Sequence, residues 1–120
     1  MNQEGIMQKF IDSANAVIYL KDDQGRFLMV NRRMTERLKV SKDEIIGKTD
    51  YDFFPKEEAE RFRANDQQVT KAGVPMNFKM TAAFANGQQT IFDHKFPVPN
   101  LEGAPNAVGG IAITVTKTEL

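Results

Sequence analysis

Residues 16–21 (Ala-Val-Ile-Tyr-Leu-Lys) and 26–31 (Arg-Phe-Leu-Met-Val-Asn) are apolar at consecutive positions, so as strands they present apolar side chains on both faces. Asp22-Asp23-Gln24-Gly25 between them is turn chemistry, and the unit predicts a hairpin. A hairpin with two apolar faces belongs in the middle of a sheet covered on each side, which sets what the rest of the chain must supply. One cover is expected from residues 4–12, where Ile6, Met7, Phe10 and Ile11 stand at helical spacing before Asn15 interrupts the pattern.

The other cover is expected from the middle of the chain. Residues 32–47 read as helical and charged, with Met34, Leu38, Val40, Ile45 and Ile46 as buried members; Ser41 followed by Glu44 is a capping box that splits the stretch into two short helices. Thr49-Asp50-Tyr51-Asp52-Phe53-Phe54-Pro55 is a dense aromatic and acidic turn. Pro55 at a first helical position, Glu57 and Glu58 in the first turn, Lys71 in the last and Gly73 beyond it delimit the longest helix, whose stripe is Ala59, Phe62, Val69 and Ala72.

The remainder has the period of a strand. Met76, Phe78, Met80, Ala82 and Phe84 alternate with smaller or polar residues, Asn86-Gly87 marks a tight hairpin, and the return strand runs over about residues 89–98. A loop holding Pro97, Pro99, Gly103 and Pro105 follows. A last strand then alternates Ile111, Ile113 and Val115 with Ala112, Thr114 and Thr116. The order predicts one α+β domain over residues 1–120, a length that suits a single core. Residues 1–13 form the N-terminal helix, and residues 14–117 a core with a five-stranded antiparallel sheet and its helices massed on one face.

Composition narrows the chemistry. The chain has no Cys and no Trp, which excludes disulfide frameworks, thiolate metal sites and cysteine nucleophiles, and favours a reducing compartment. Sixteen basic residues balance sixteen acidic ones, and neither half carries the one-signed field that nucleic acid or an anionic membrane calls for. No apolar run approaches the roughly 20 residues of a membrane span, and the polar start Met1-Asn2-Gln3-Glu4 lacks the pattern of a signal peptide. The expectation is a cytoplasmic domain with neither nucleic acid nor membrane as partner.

Several segments, taken in order, resemble the PAS sensor domains. Phe10-Ile11-Asp12-Ser13 and Ala16-Val17-Ile18-Tyr19-Leu20-Lys21-Asp22 are similar to that family's entry helix and first strand, and Gly25-Arg26-Phe27-Leu28-Met29-Val30-Asn31 to its second. Ile45-Ile46-Gly47-Lys48-Thr49-Asp50 and Asp52-Phe53-Phe54-Pro55 resemble its helical block; Lys71-Ala72-Gly73-Val74-Pro75, Lys95-Phe96-Pro97-Val98 and Gly109-Gly110-Ile111 complete the set. The resemblance implies the PAS-like fold and a sensory module, an input domain of a bacterial sensor histidine kinase or related signalling protein. Such a module binds a small ligand or relays conformational change through dimerisation. Thr114-Val115-Thr116 stands where the family's Asp-Ile-Thr signature couples the sheet to an output helix, so the Asp is missing, and no effector domain is expected within the 120 residues.

Candidate functional residues follow from phase. Asn65 and Asp66 flank the centre of the long helix's stripe, where polar side chains must be paired or must orient a ligand. With Phe62, Val69, Phe78, Met80, Phe92 and His94 they make the candidate ligand pocket. His94, the only histidine, shares a strand face with Phe92, Phe96 and Val98, where a satisfied histidine is the ordinary reading. The resemblance places the axial histidine of haem-binding members in the helices, which here have none, and covalent flavin chemistry lacks its cysteine. No cofactor is required, no metal-ligand spacing occurs, and no nucleophile, base and orienter can be assembled, so no catalytic residue is expected. Asn31 and Asp50 stand at helix starts as structural caps. A homodimer through Ile6, Met7, Phe10 and Ile11 is expected. A haem- or flavin-binding redox or light sensor, and a purely structural dimerisation domain, are the alternatives.

Overall fold

The computed structural model describes residues 2–84 and 87–115. The N-terminal helix α1 (Gln3–Asp12) precedes the hairpin β1 (Val17–Lys21) and β2 (Phe27–Val30). Helices α2 (Arg32–Leu38) and α3 (Lys42–Ile45), a 3-10 turn (Asp50–Asp52) and the long helix α4 (Lys56–Ala72) form the middle of the chain. Strands β3 (Met76–Phe84), β4 (Gly87–Leu101) and β5 (Ala104–Val115) close it. All strands join one antiparallel sheet in the order β2-β1-β5-β4-β3. This is the α+β, five-stranded arrangement that the sequence predicts.

Local devices place the helices. Asn31 caps α2 by accepting from the Met34 amide through Oδ1, which also accepts from Ile18 N at 3.0 Å. Its Nδ2 donates to the carbonyls of Ile11 at 2.7 Å and Ala16 at 2.9 Å, so one buried amide ties α1, the hairpin and α2 together. Ser41 and Glu44 make the capping box of α3. The long helix stops at Gly73, whose φ of 70° lies in the left-handed region. Pro55 caps α4 from outside, one position earlier than the sequence suggests, and Ala72 is exposed, so the buried stripe is Ala59, Phe62, Asp66 and Val69 with Glu58 beside it.

Three expectations change. First, the hairpin is not central: β2 is an edge strand and Leu28 is exposed, so only β1 is flanked on both sides. Second, the proline-rich segment is not a loop. Pro97 pairs with Val108 and Pro99 with Asn106 in a β4–β5 ladder that narrows to Leu101 and Ala104. The last β3 pair is Met76 with Lys95, so beyond it β4 has an open edge on which missing N–H groups cost no ladder bond. Third, α1 does not cover its own sheet. Ile11 is buried within the chain, whereas Ile6, Met7 and Phe10 are exposed.

The Asn86 half of the hairpin signal lies outside the described residues, as do Met1 and Thr116; the ladder brings Phe84 opposite Gly87. Among the described residues no helix is long and apolar enough to cross a membrane.

Candidate functional site

The register fixes which side chains share a face. Tyr19, Gly110 and Lys95 lie side by side across β1, β5 and β4, as do Ala112 and Asp93, all on the face that carries the helices. A Cβ on Gly110 would overlap the Tyr19 ring, so the glycine lets the tyrosine lie across β5 toward β4. Its hydroxyl sits 2.7 Å from Lys95 Nζ and 3.0 Å from both Asp93 oxygens, accepting from the first and donating to the second.

Around this row is a buried charge cluster. Asp66 of α4 accepts from Lys21 Nζ through Oδ2 and from Lys95 Nζ through Oδ1, each at 2.8 Å. Lys21 of β1 also donates to Asp50 Oδ2 at 2.6 Å, and Lys95 lies 3.2 Å from Asp93 Oδ2. The five charged side chains are between 1% and 9% exposed. Burying charges is expensive unless each is paired, and here four elements of structure, β1, the 3-10 turn, α4 and β4, supply the partners. Lys21 Nζ also stands 5.0 Å from the Tyr19 ring centroid and 5.3 Å from that of Phe27.

Protonation follows from these contacts. Burial opposes the charge on Lys21, but Asp50 and Asp66 outweigh burial and the repulsion of Lys95, and the ammonium is held above its usual value. Lys95 is likewise raised, burial being outweighed by Asp66 and Asp93. Burial would raise the Asp66 carboxyl, yet Lys21 and Lys95 hold it below the usual carboxylate range. Burial, then Asp93, pushes the Tyr19 hydroxyl well up, which keeps it a donor.

Beside the cluster is a cavity of about 40 Å³. That is space for about three water molecules, or an organic molecule of similar bulk. Tyr19, Lys21, Asp50, Asp93 and Lys95 border it together with Val17, Phe27, Met34, Phe54, Phe62, Ile91, Ala112 and Thr114, and its exposed wall is almost wholly apolar, since the polar ends are turned to one another. Val17, Ala112 and Thr114 also border a larger groove outside, which Arg33 and Arg37 line.

The candidate pocket residues are therefore dispersed. Phe62 lines the cavity, and Asp66 stands behind the two lysines that do. Val69 is fully buried in α4 away from the cavity wall. Asn65 turns aside, its Nδ2 2.9 Å from the Met80 sulfur, and with Phe78 and Met80 borders a separate surface groove. Phe92 and His94 are on the opposite, outer face of the sheet, because Ile91, Asp93 and Lys95 take the inner one. His94 Nδ1 is 2.6 Å from Asn77 Oδ1 there.

Asp50 is no cap. Thr49 holds that position, its amide donating to Asp52, and Asp50 turns inward to Lys21. Tyr19, Lys21, Asp50, Asp93 and Lys95 escape a search for apolar pocket walls. The available signal is period two, which puts Lys21 on the face of Val17 and Tyr19.

Comparison with known proteins agrees with this architecture. The methanogenesis regulatory histidine kinase FilI of Methanothrix harundinacea is 29% identical over 107 residues, 88% of this chain. The chain spans only 12% of FilI, and 9% of a second curated relative from Sinorhizobium fredii. Vibrio cholerae VqmA superposes with a TM-score of 0.81 at 19% identity, covering 98% of this chain and 54% of that one. The RpfR quorum-sensing receptor PAS domain of Cronobacter turicensis, solved in complex with BDSF, gives 0.72 at 20% identity over 88% of this chain and 99% of that one. At these identities the two structures speak for the fold alone. A family model described as the PAS fold matches residues 11–120, and the chain belongs to that family.

Proposed function

We propose that this domain is the ligand-sensing input module of a signalling protein, a histidine kinase being the class that FilI suggests, and that its ligand occupies the cavity beside Lys21, Asp50, Asp93 and Lys95. The observation that carries this reading is the position of the cluster. Its bonds join β1, β4, α4 and the 3-10 turn, so a molecule that displaces one partner alters contacts among four elements at once. RpfR, described in complex with BDSF, makes a small-molecule occupant a natural reading of the shared fold.

Output runs through the other face of the sheet. Along β4, Asp93 and Lys95 alternate with Phe92, His94 and Phe96, so a shift of the strand at the cavity is also a shift on the outside. Phe92, Ile111 and Ile113 are exposed there, as are Ile6, Met7 and Phe10 of α1. A second copy that lays its α1 on this face covers both surfaces in a twofold dimer. The chain carries no catalytic step in this reading. Haem coordination by His94 is disfavoured, because the imidazole is across the sheet from the cavity.

Thermal unfolding of the purified chain with a panel of small metabolites tests the proposal. A ligand at about a hundredfold excess over its Kd adds about 2.7 kcal/mol of stability, a shift of several degrees. The same ligand must change the sedimentation behaviour. A panel that shifts neither the midpoint nor the association state counts against sensing.

A further inference from the structure

In an antiparallel sheet the backbone groups of successive residues point to alternate neighbours, so one bond sets the phase for every strand. Asn31 N donates to Ile18 O at 3.0 Å, so Ile18 faces β2, while Val17 and Tyr19 face β5. Across the regular pairs of β1 with β5, β5 with β4 and β4 with β3, Ile91 and Asp93 then face β3, Phe78 and Met80 face β4, and Asn77, Lys79 and Thr81 face outward. Arg61 of α4 gives the same phase from the other side, its Nη2 donating to the Thr81 carbonyl at 3.3 Å. The amides of Asn77, Lys79 and Thr81 and the carbonyls of Asn77 and Lys79 have no partner among the described residues. At the opposite edge the chain closes on itself: Phe27 N donates to Lys48 O and Gly47 N to Phe27 O, each at 2.8 Å. An edge left open, as that of β3 is, is a template for a further strand.

A groove of about 470 Å³ lies between this edge and α4, far larger than the inner cavity of about 40 Å³. Ala64, Phe78 and Met80 give it apolar walls, and its lining includes Arg61 and Lys79 but no carboxylate. Among the described residues neither cation is in a salt bridge. Lys79 lies on the outer face of the sheet, its Nζ 5.8 Å from the Phe92 ring centroid.

We propose that this edge receives an extended acidic segment of another protein, added antiparallel to β3 as a sixth strand. Antiparallel is the sense of every pair in this sheet, and it fixes where the incoming side chains go. Residues of the segment that bond to Asn77, Lys79 and Thr81 stand directly opposite them and share their face, so an acidic residue there meets Lys79. The alternate residues point to the α4 side, where apolar side chains fill the groove against Ala64, Phe78 and Met80. This site is separate from the cavity and stands whether or not the cavity binds a ligand.

Two capped peptides, acetyl-Val-Glu-Val-Glu-Val-amide and acetyl-Val-Lys-Val-Lys-Val-amide, titrated into the full 120-residue chain with backbone amide NMR shifts and hydrogen exchange as readouts, make the test. In the free chain the amides of Asn77, Lys79 and Thr81 should exchange much faster than those of Phe78 and Met80. The acidic peptide should shift and protect those three, with affinity about fivefold or more above that of the lysine peptide, and Lys79→Glu should remove that preference. Methylating one glutamate amide of the peptide, which faces β3, should weaken binding about tenfold or more; methylating the central valine amide, which faces away, should change it by less than about threefold.

Equal losses from the two methylations, or no movement of the three amides with either peptide, overturn strand addition at this edge. Equal affinity of the two peptides overturns the acidic assignment. Slow exchange of the three amides in the free chain at every concentration means that the edge is already covered, and protection that grows with concentration means that a second copy takes it; either overturns the assignment to another protein.

Discussion

Asp66→Asn keeps the shape of the side chain at the centre of the cluster and removes its charge. The carboxylate now accepts from Lys21 and Lys95 at 2.8 Å each. An amide has one acceptor oxygen and one NH2 group, so in either orientation one ammonium keeps a neutral acceptor and the other meets a donor. Two bonds between oppositely charged groups become one bond from an ammonium to a neutral oxygen, still about 1.5–3 kcal/mol because its donor is charged, and one unfavourable contact between donors. That places the loss within the roughly 3–5 kcal/mol of a broken buried ion pair. Two features favour the lower end: Asp50 and Asp93 still face the ammoniums at 2.6 and 3.2 Å, and the substitution removes the excess negative charge. A loss of about 3 kcal/mol is expected, measured by urea denaturation at pH 7 as a lowered midpoint at unchanged m. The pH dependence is a separate check. The Asp66 carboxyl lies below its usual value in the folded protein, so its contribution is complete above the unfolded value of about 3.9 and is lost as pH falls through the lowered one. The gap between the two proteins should be flat from neutral pH to about pH 5 and close below about pH 4. A loss under about 1 kcal/mol at pH 7, or a gap indifferent to acid, refutes the claim that this carboxylate holds the lysines together.

Phe62→Ala should cost about 3–5 kcal/mol in the same assay, because the ring is buried at 5.1 Å from that of Phe54 and its removal enlarges an existing cavity; a loss under about 1 kcal/mol would contradict its core placement. Gly110→Ala forces the Tyr19 ring off β5 and should cost about 1–3 kcal/mol, with the resonances of Lys95 and Asp93 moving as the hydroxyl leaves them; an unperturbed cluster would show that the glycine is dispensable. Phe10→Asp changes a side chain that is 75% exposed, so monomer stability should stay within about 0.5 kcal/mol while concentration-dependent association in sedimentation is lost. A dimer indifferent to that change excludes α1 from the interface.

The elements that the sequence discloses are those whose cause is local. The Ser41–Glu44 box, the Gly73 stop and the Asn31 cap act over three or four residues, and the alternation from Met76 onward is visible in any short window. Strand order is different, because the place of β2 at the edge depends on β1 pairing with β5, and no residue near Phe27 reports that. The prolines at 97 and 99 misled for the same reason. They read as a loop unless it is known that β3 ends opposite Lys95.

The inner face of β4 is the instructive case. Judged by burial preference, Phe92 and Phe96 belong inside and Asp93 and Lys95 outside. The sheet does the reverse, because the charges meet counter-charges far away in sequence: Asp66 is 29 residues from Lys95, and Tyr19 is 76. Each of these residues alone is an argument against burial, and only the set reverses it. The same inversion leaves Phe92, Ile111 and Ile113 in water on the other side. A strand that buries its ions and exposes its aromatics lowers its free energy on neither face by itself. Its sequence is accounted for when the inner face holds the charge cluster together and the outer face is covered by a second surface, which is why the cavity and the association state have to be tested together.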